Sequence, residues 1–329
     1  MRLKIDKNER KIVMVDKRKI VLVGTGFVGM SMAYSLLNQG GINELVLVDV
    51  LKDKAEGEAM DLAHGMPCAP SDMIIKSGDY EECKDANIVV ITAGLAQKPG
   101  QTRLELASAN AKIMKQITES VVASGFKGIF LVASNPVDLM TYVVKEVSGF
   151  DSSKVIGSGT VLDTARLRYL LGKYLKVSSK NVHAYIMGEH GDSSFVPWNH
   201  ANVGCKKIKE IMKDNKHPVT DLEKIYTEVQ QAAYEIINRK KATYYGIGLG
   251  LTKIIKAILN DQNEIMTVST YLNGEYGQKD LYIGVPTIIN RKGAREVLEL
   301  QLEGAEKERF ENSCKTLLSM KEEIDKVIK

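Results

Sequence analysis

The stretch that decides the fold is KIVLVGTGFVGMSMAYSLLNQ, residues 19–39. The apolar run KIVLV leads into a glycine-rich turn with Gly24, Gly26 and Gly29, and a helical pattern follows over 27–39. Apolar residues without polar alternation indicate a strand that is buried on both faces. This stretch therefore predicts a β-strand, a tight turn and an α-helix, which is the first half of a βαβ unit.

The same alternation recurs along the first half of the chain. The apolar runs ELVLVD, NIVVITAG and GIFLVAS are each followed by a helical stretch, at 53–64, 103–123 and 136–147. Repeated βα units joined by right-handed crossovers form a parallel sheet with helices on both faces. The sequence predicts an α/β fold with a Rossmann-type doubly wound parallel sheet, which binds ligands at the carboxyl ends of its strands.

The rhythm changes after about Gly157. Strand-like runs VHAYIMG and FVPWNHANVG follow, and EIMTVSTYL and LYIGVPTII are predicted to pair with each other. Helical patterns fall at 161–174, 220–240 and 301–328. We predict an N-terminal arm and Rossmann domain over 1–157 and an α+β substrate-binding and catalytic domain over 158–329. No flexible linker separates them, so the halves are expected to pack together.

Composition excludes several function classes. The chain has 329 residues, is 44% hydrophobic, and carries 45 cationic and 41 anionic residues that are intermixed, which argues against nucleic-acid binding. No apolar run approaches the roughly 20 residues of a membrane span. The four cysteines fit neither a zinc site nor a redox pair, so no metal is expected. Cysteines without these spacings are typical of a reducing compartment, so we expect a cytoplasmic location. Residues 1–18 lack the apolar core of a signal peptide and are interpreted as a mature arm.

The glycine-rich turn has the context of a dinucleotide site. Gly24 permits the tight turn, Gly26 lets the backbone approach a pyrophosphate, and Gly29 allows close packing of helix on strand. Asp49 ends the next strand, 20 positions past Gly29, where it would accept hydrogen bonds from the adenosine ribose. A βα turn without a ligand, or a flavin site, remains the alternative.

Asp49 also favours NAD over NADP as the cofactor. A carboxylate beside a ribose 2′-phosphate would place two anions in contact, with little water to screen them. The predicted cofactor-binding residues are Gly24, Gly26, Phe27, Val28, Gly29 and Asp49, with Ala93 and Gly94 at a later strand end.

Two polar stretches of the second half suggest acid–base chemistry. His190 lies between glycines in GEHGDSS, where an imidazole that reaches a cleft can exchange a proton near neutral pH. Asp163 and Arg166 are three residues apart on one helical face of TVLDTARLR. Asp163 could then accept the far N–H of His190 while Arg166 binds a substrate carboxylate. The structural alternatives are a loop histidine and an intrahelical ion pair.

Two further stretches follow predicted strands of the first half. Asn135 in SNPVD can offer its amide as donor and acceptor, and Pro136 suits the first turn of the next helix. The polar loop GLAQKPGQTR, residues 94–103, contains the neutral Gln97 and ends with Arg103. Its glycines and Pro99 suit a lid that closes over a bound cofactor.

Together VGTGFVG, AGLAQKPGQTR, SNPVD, GTVLDTARLR and AYIMGEHGDSS, in this order and spacing, resemble the lactate/malate dehydrogenase family, from about Arg18 to the C-terminus. The resemblance implies an NAD-dependent 2-hydroxy acid dehydrogenase that transfers hydride to or from substrate C2. It makes His190 the proton donor and acceptor, with Asp163 as its partner. The remaining implied roles are carboxylate binding by Arg166, carbonyl polarisation by Arg103, nicotinamide-ribose and substrate contact by Asn135, and pocket lining by Thr243.

The resemblance also predicts the substrate. Malate-specific members of the family carry arginine at the position of Gln97, and lactate-specific members carry glutamine. Oxaloacetate brings a second carboxylate that needs a cation, whereas an unpaired arginine facing the methyl group of pyruvate would be costly. Pyruvate and L-lactate are therefore expected, as in the last step of anaerobic glycolysis or fermentation. A malate dehydrogenase of this type, or a broad 2-hydroxy acid dehydrogenase, is the alternative, and a catalytically silent NAD-binding structural protein is the alternative from another class.

The resemblance finally suggests regulation and assembly. In bacterial members that fructose bisphosphate activates, the positions of Arg168 and His183 bind the phosphates of the effector across a subunit interface. Both basic residues are present here, so an allosteric anion site is one hypothesis, and a surface arginine with a packed histidine is the other. A homotetramer is expected from the same family.

Overall fold

The computed structural model describes residues 17–95 and 103–328. The strands of this part are β1 (Lys19–Val23), β2 (Glu44–Val48), β3 (Ile74–Ser77), β4 (Ile88–Ile91), β5 (Ile129–Val132), β6 (Val155–Gly157), β7 (Val182–His183), β8 (Asn202–Val203), β9 (Lys206–Lys207), β10 (Glu264–Asn273), β11 (Lys279–Asn290) and β12 (Gly293–Val297). The helices are α1 (Phe27–Gln39), α2 (Lys52–His64), α3 (Arg103–Ala123), α4 (Val137–Ser148), α5 (Val161–Leu175), α6 (Ile208–Asp214), α7 (Thr220–Lys240), α8 (Tyr245–Leu259) and α9 (Ala305–Ile328).

A nine-stranded sheet organises the molecule. Its first six strands are parallel and run in the order β3-β2-β1-β4-β5-β6, which is the strand order of a doubly wound dinucleotide-binding fold. The prediction of an α/β fold with a Rossmann-type sheet is confirmed. Strands β10, β11 and β12 extend the same sheet in antiparallel fashion, through pairing of Ser269 in β10 with Gly157 in β6. The second half of the chain therefore continues the sheet of the first.

Alternate residues of the central strands build two cores. Val21 and Val23 of β1 belong to a core with residues of α3, α4 and α9, whereas Ile20 and Leu22 belong to a core with residues of α1, α2 and α8. Successive side chains of a strand point to opposite faces, so a strand that is apolar throughout is covered on both sides. A third core joins α5, α6 and α7 around Trp198.

Helix α8 and most of the segment around β7 differ from the sequence predictions. The pattern YGIGLGLTK does not predict α8, because glycines disfavour helices. In the structure a Cβ atom on Gly248 would lie 2.7 Å from the Cβ of Ser31, so this glycine lets α8 approach α1 closely. The predicted strand VHAYIMG is formed only at β7 and at isolated bridges of Met187 and Gly188.

The two edges of the parallel sheet carry different groups. At the carboxyl edge, the residues that follow β1, β2, β4 and β5 include the glycine-rich turn, Asp49, Ala93 and Asn135. At the opposite edge, three lysines and three carboxylates form a network of ion pairs that comprises Lys17, Lys19, Lys76, Glu44, Glu82 and Asp85. None of the helices in residues 17–95 and 103–328 is long and apolar enough to span a membrane.

Candidate active site

Two glycines of the turn after β1 are required by close backbone approaches. Gly24 has a φ of +102°, and a Cβ atom there would lie 2.6 Å from the backbone nitrogen of Ala93. A Cβ atom on Gly29 would lie 2.3 Å from the carbonyl oxygen of Gly24. Gly26 is the N-cap of α1 and has open space where a side chain would be, so the amino-terminal end of α1 is accessible to an anion.

Asp49 is fixed at the end of β2 by three hydrogen bonds. The backbone N–H and the hydroxyl of Thr25 donate to its Oδ2 at 2.7 and 2.8 Å, and the Leu51 N–H donates to its Oδ1 at 3.0 Å. Burial raises the pKa of Asp49, but these hydrogen bonds outweigh it and hold the pKa below its usual value. The carboxylate is therefore ionised and tied to the glycine-rich turn. Thr25, which the sequence analysis did not single out, makes this connection.

A cavity of about 360 Å³ lies at the carboxyl edge of the sheet. Its wall combines the first turn of α1, the residues after β5, helix α5, the segment around His190, and helix α7. The sequence-predicted site residues that line it are Val28, Asn135, Asp163, Arg166, His190 and Thr243. These six residues, which are spread from position 28 to position 243 of the chain, thus border one cavity beside the predicted cofactor turn.

Asp163 connects two other ionisable groups of the cavity wall, His190 and Arg166. Its Oδ2 lies 2.7 Å from Nδ1 of His190, and its Oδ1 lies 3.1 Å from Nη1 of Arg166. The predicted contact of Asp163 with His190 and the intrahelical ion pair are therefore both present, because the two oxygens of one carboxylate serve different partners. Arg166 keeps further N–H groups of its guanidinium for a ligand, since this group has five donors.

The electrostatics of this trio favour a charged imidazole. Burial lowers the pKa of His190, but the charge of Asp163 and its hydrogen bond outweigh burial and raise the pKa to about 9. Burial likewise raises the pKa of Asp163, and the charges of His190 and Arg166 hold it below its usual value. An ionised carboxylate only accepts hydrogen bonds, so Nδ1 carries the proton shared with Asp163, and Nε2 is the nitrogen left to meet a ligand.

Asn110 on α3 is a further connecting residue that sequence reasoning missed. It is 1% exposed, its Oδ1 accepts the Leu95 N–H at 2.8 Å, and its amide donates to the carbonyl of Asn135 at 2.7 Å. It thereby ties the chain after Gly94 to the chain after β5. The available signal was a polar residue on a helix face that is otherwise buried, next to Ala107 and Ala111.

Of the other predicted residues, Arg168 and His183 stand apart from this cavity, and two belong to the polar stretch GLAQKPGQTR. Gln97 lies outside the described residues, and of Arg103 only the backbone at the start of α3 is described. Arg168 lies on α5, where its Nε donates to the carbonyl of Val182. His183 is exposed in β7, next to that carbonyl in the chain. Arg168 and His183 are therefore neighbours, and neither lines the cavity.

No cluster of metal ligands accompanies the site. Within residues 17–95 and 103–328, histidine, cysteine, aspartate and glutamate form no group of three or more that could hold a metal ion. The cavity wall instead carries Arg166 and His190, both in contact with Asp163.

Comparison with known proteins agrees with this arrangement. Residues 18–157 match the NAD binding domain of lactate/malate dehydrogenase, and residues 160–328 match the alpha/beta C-terminal domain of the same family. The L-lactate dehydrogenase 2 of Bacillus cereus and the L-lactate dehydrogenase 1 of Bacillus anthracis are each 56% identical over 300 residues, which is 91% of this chain and 96% of theirs.

Solved structures give the same result. A lactate dehydrogenase from a Medee basin deep-sea metagenome library is 52% identical, with a TM-score of 0.92 over 94% of this chain and 99% of that one. The minor L-lactate dehydrogenase of Enterococcus mundtii in its ligand-bound form is 51% identical, with a TM-score of 0.92 over 95% and 99%. With both of its halves matched, the chain belongs to the lactate/malate dehydrogenase family.

Proposed function

We propose that the chain catalyses the reversible reduction of pyruvate to L-lactate with NADH. The observation that carries the proposal is the trio of His190, Asp163 and Arg166 on the wall of a cavity next to the glycine-rich turn. A 2-oxo acid has a carboxylate for an arginine and a carbonyl oxygen that needs a proton. The trio offers both groups side by side. The named relatives, all lactate dehydrogenases, support the same reaction.

The cofactor fits the residues around the turn. The open amino-terminal end of α1 at Gly26 suits the pyrophosphate, and the ionised Asp49 suits the ribose hydroxyls of the adenosine. Phe27 and Val28 form the first turn of α1, Ala93 and Gly94 follow β4, and Asn135 borders the cavity. When bound, the nicotinamide ring supplies or takes the hydride.

Binding and proton transfer are assigned to side chains of this chain. Arg166 binds the substrate carboxylate, and its ion pair with Asp163 fixes the orientation of the guanidinium. The protonated ring of His190 then donates from Nε2 to the carbonyl oxygen as C2 is reduced, so no free alkoxide forms. Asp163 keeps Nδ1 protonated before and after transfer, which confines the exchange to Nε2. In lactate oxidation the neutral ring accepts the proton.

Arg103 and Gln97 complete the proposal through the family resemblance. Arg103 would polarise the carbonyl from the loop that closes the site, where its charge acts in a drier environment. Gln97 would face the methyl group of pyruvate and select against a second carboxylate, because it offers that carboxylate no charge.

One experiment tests the proposed reaction and its substrate. The rate of NADH oxidation is measured with pyruvate, oxaloacetate and longer 2-oxo acids, and the efficiencies kcat/KM are compared. We expect pyruvate to be the best substrate and Gln97→Arg to raise the ratio of oxaloacetate to pyruvate efficiency at least about tenfold, since an introduced cation pairs with the second carboxylate. Gln97→Asn, which stays neutral, is the matched control and should leave the order unchanged.

Each rival function predicts a different result in that assay. A malate dehydrogenase would prefer oxaloacetate before any substitution, and a broad 2-hydroxy acid dehydrogenase would reduce the longer 2-oxo acids about as well as pyruvate. Normal NADH binding with no turnover of any substrate would indicate a catalytically silent protein. An unchanged substrate ratio in Gln97→Arg would refute the assignment of Gln97 to the pocket.

Activation by a sugar bisphosphate is a further part of the proposal. Arg168 and the exposed His183 are neighbours and would bind the phosphates of fructose bisphosphate, so the assay at low pyruvate is repeated with this sugar.

A homotetrameric assembly is also proposed. It is supported by large exposed apolar side chains on three adjoining helices, namely Tyr34 of α1, Met60 of α2, and Tyr245 and Leu249 of α8. Light scattering measures the mass of the assembly.

A two-domain division and a cytoplasmic location complete the proposed picture. We place the cofactor domain in residues 1–157 and the substrate domain in 158–329, which agrees with the residues at which the two family models meet. All four cysteines are free thiols, as a reducing compartment would leave them.

A further inference from the structure

Asp138 is a buried carboxylate that no role described above uses. It lies in the first turn of α4, and every residue from Val137 to Val144 is buried. The side chains around it in this run are mostly apolar, and Asp138 itself is 2% exposed. An ionised carboxylate in such a place is costly unless hydrogen bonds and a nearby positive charge compensate it.

Both oxygens of Asp138 accept hydrogen bonds from other parts of the chain. The backbone N–H of His190 donates to Oδ2 at 2.8 Å, and the hydroxyl of Ser269 in β10 donates to Oδ1 at 2.5 Å. Ser269 is fully buried and pairs with Gly157 at the centre of the sheet. The carboxylate thus joins α4, β10 and the segment that carries His190.

The charge of Asp138 is compensated by its position and by His190. It lies at the amino-terminal end of a helix, where the backbone dipoles favour an anion. Burial raises the pKa of Asp138, whereas the Ser269 hydroxyl, the His190 N–H and the His190 charge lower it. Burial is the larger effect, and the resulting pKa is about 6. The group is therefore ionised at neutral pH. An ionised carboxylate suits a place where both neighbours donate, because it is an acceptor only.

His190 consequently lies between two carboxylates from different helices. Asp163 of α5 contacts its ring, and Asp138 of α4 contacts its backbone. Arg166 of α5 opposes protonation of the ring by its own charge, and Glu189 precedes the histidine in the chain. The negative charge of Asp138 acts on the ring as well as on the backbone, since it also favours the protonated imidazole.

We propose that Asp138 is a positioning residue for His190, which fixes the backbone of the histidine and, as a second anion beside Asp163, helps to keep the ring protonated before a substrate binds. The proposal rests on the proposed role of His190 in proton transfer. Asp163 determines which ring nitrogen is protonated, whereas Asp138 determines where the ring is held and adds to its positive charge.

A titration of the histidine rings by NMR tests this without any turnover. The chain has only five histidines, so ring signals of labelled protein can be followed one by one, and His190→Asn identifies the signal of His190. Asp138→Asn removes the charge with almost no change of volume. Ser269→Ala is the matched control, because it removes the other hydrogen bond of Asp138 and keeps the charge.

We expect the pKa of His190 to fall by about one unit in Asp138→Asn and by more in Asp163→Asn, which removes the direct partner. Ser269→Ala should leave the pKa of His190 within a few tenths of a unit, because Asp138 stays ionised at the pH where the ring titrates. The efficiency with pyruvate at pH 8 should fall about twofold in Asp138→Asn, because the protonated fraction of the ring falls from about nine-tenths to about half, while the Kd for NADH is unchanged.

A second variant of Asp138 provides the same test if Asp138→Asn does not fold. Asp138→Ser is smaller than aspartate, can still accept the His190 N–H, and carries no charge, so it should lower the pKa of His190 in the same direction. A His190 pKa equal to that of the unsubstituted protein in both folded variants would overturn the proposal. The failure of the lactate reaction alone would leave this titration unaffected, so the two proposals can fail separately.

Discussion

The two edges of the parallel sheet use charge in opposite ways. At the amino-terminal edge, Lys19 is 3% exposed and contacts the carboxylates of Glu44, Glu82 and Asp85, so its charge is balanced within the protein. At the carboxyl edge, the Asp163 carboxylate balances His190 and Arg166 only in part, and all three face a cavity. Charges that are paired inside the protein hold the fold, whereas charges that border a cavity are available to a ligand.

This contrast predicts that substitutions at the two edges separate activity from stability. A change at the carboxyl edge should alter turnover or its pH dependence and leave unfolding nearly unchanged. A change at the opposite edge should do the reverse. The three predictions below test that separation, from the largest expected free-energy effect to the smallest.

Replacement of the acid–base group should give the largest effect. His190→Asn keeps an amide N–H for Asp163 and removes the protonatable Nε2, so kcat with pyruvate should fall about 10³-fold, which is about 4 kcal/mol in the barrier. Steady-state kinetics measures this loss, and NADH binding followed by fluorescence should be retained. A variant that keeps more than a tenth of the activity would exclude His190 as the proton donor.

Removal of the buried lysine at the opposite edge should affect stability alone. Lys19→Met leaves three carboxylates with only two lysines near them, and should lower the free energy of unfolding by about 3 kcal/mol. Urea unfolding measures the loss, while kcat and KM should stay within twofold. Lys52→Met is the control, since its ion pair with Asp79 is exposed on both sides and should contribute little. Equal losses in the two variants would mean that burial of the network is unimportant.

Neutralisation of Asp163 should give the smallest effect and shift the pH dependence. The Asp163 charge is the main contribution that raises the pKa of His190 to about 9, so Asp163→Asn should return it toward the ordinary value of about 6.5. The protonated fraction at pH 8 then falls about 30-fold, and the efficiency with pyruvate falls with it. This loss should largely recover at pH 6. A loss that is independent of pH would instead indicate a purely structural role.

The sequence predicts those parts of the site whose contacts are local in the chain better than those whose contacts are distant. The turn from Gly24 to Gly29 and the acid at Asp49 lie within one βα unit and the next strand, so their spacing alone locates them. Their backbone geometry is as expected, with Gly24 and Gly29 in close approaches that admit no side chain.

The contacts around His190 could be inferred only in part. The spacing of Asp163 and Arg166 predicts that they share a helix face, but not that one carboxylate serves both Arg166 and His190, because His190 is 27 residues away in the chain. Asp138, the last residue of SNPVD, is not predicted as a site residue by the sequence. The available signal was an acid in a helix whose neighbours are mostly apolar, and its partners on β10 and beside Glu189 become visible only in three dimensions.

Two parts of the fold were not predicted because they depend on packing between elements that are distant in the chain. Helix α8 contains three glycines, whose low helix propensity conceals it until its packing on α1 is known. The segment before His190 alternates like a strand, yet it forms a strand only at β7 and then isolated bridges, which leaves the histidine in a loop that faces the cavity.

The central claim, that the ring of His190 carries the proton in both directions, is tested most directly by measuring kcat/KM against pH for pyruvate reduction and for lactate oxidation with the same protein. Reduction needs the protonated ring, whose pKa is raised to about 9, so its efficiency should be constant near neutral pH and fall as the pH rises through about 9. Oxidation needs the neutral ring, so its efficiency should rise across the same interval and then level off. Two profiles that move in the same direction, or that change in unrelated pH ranges, would contradict the account.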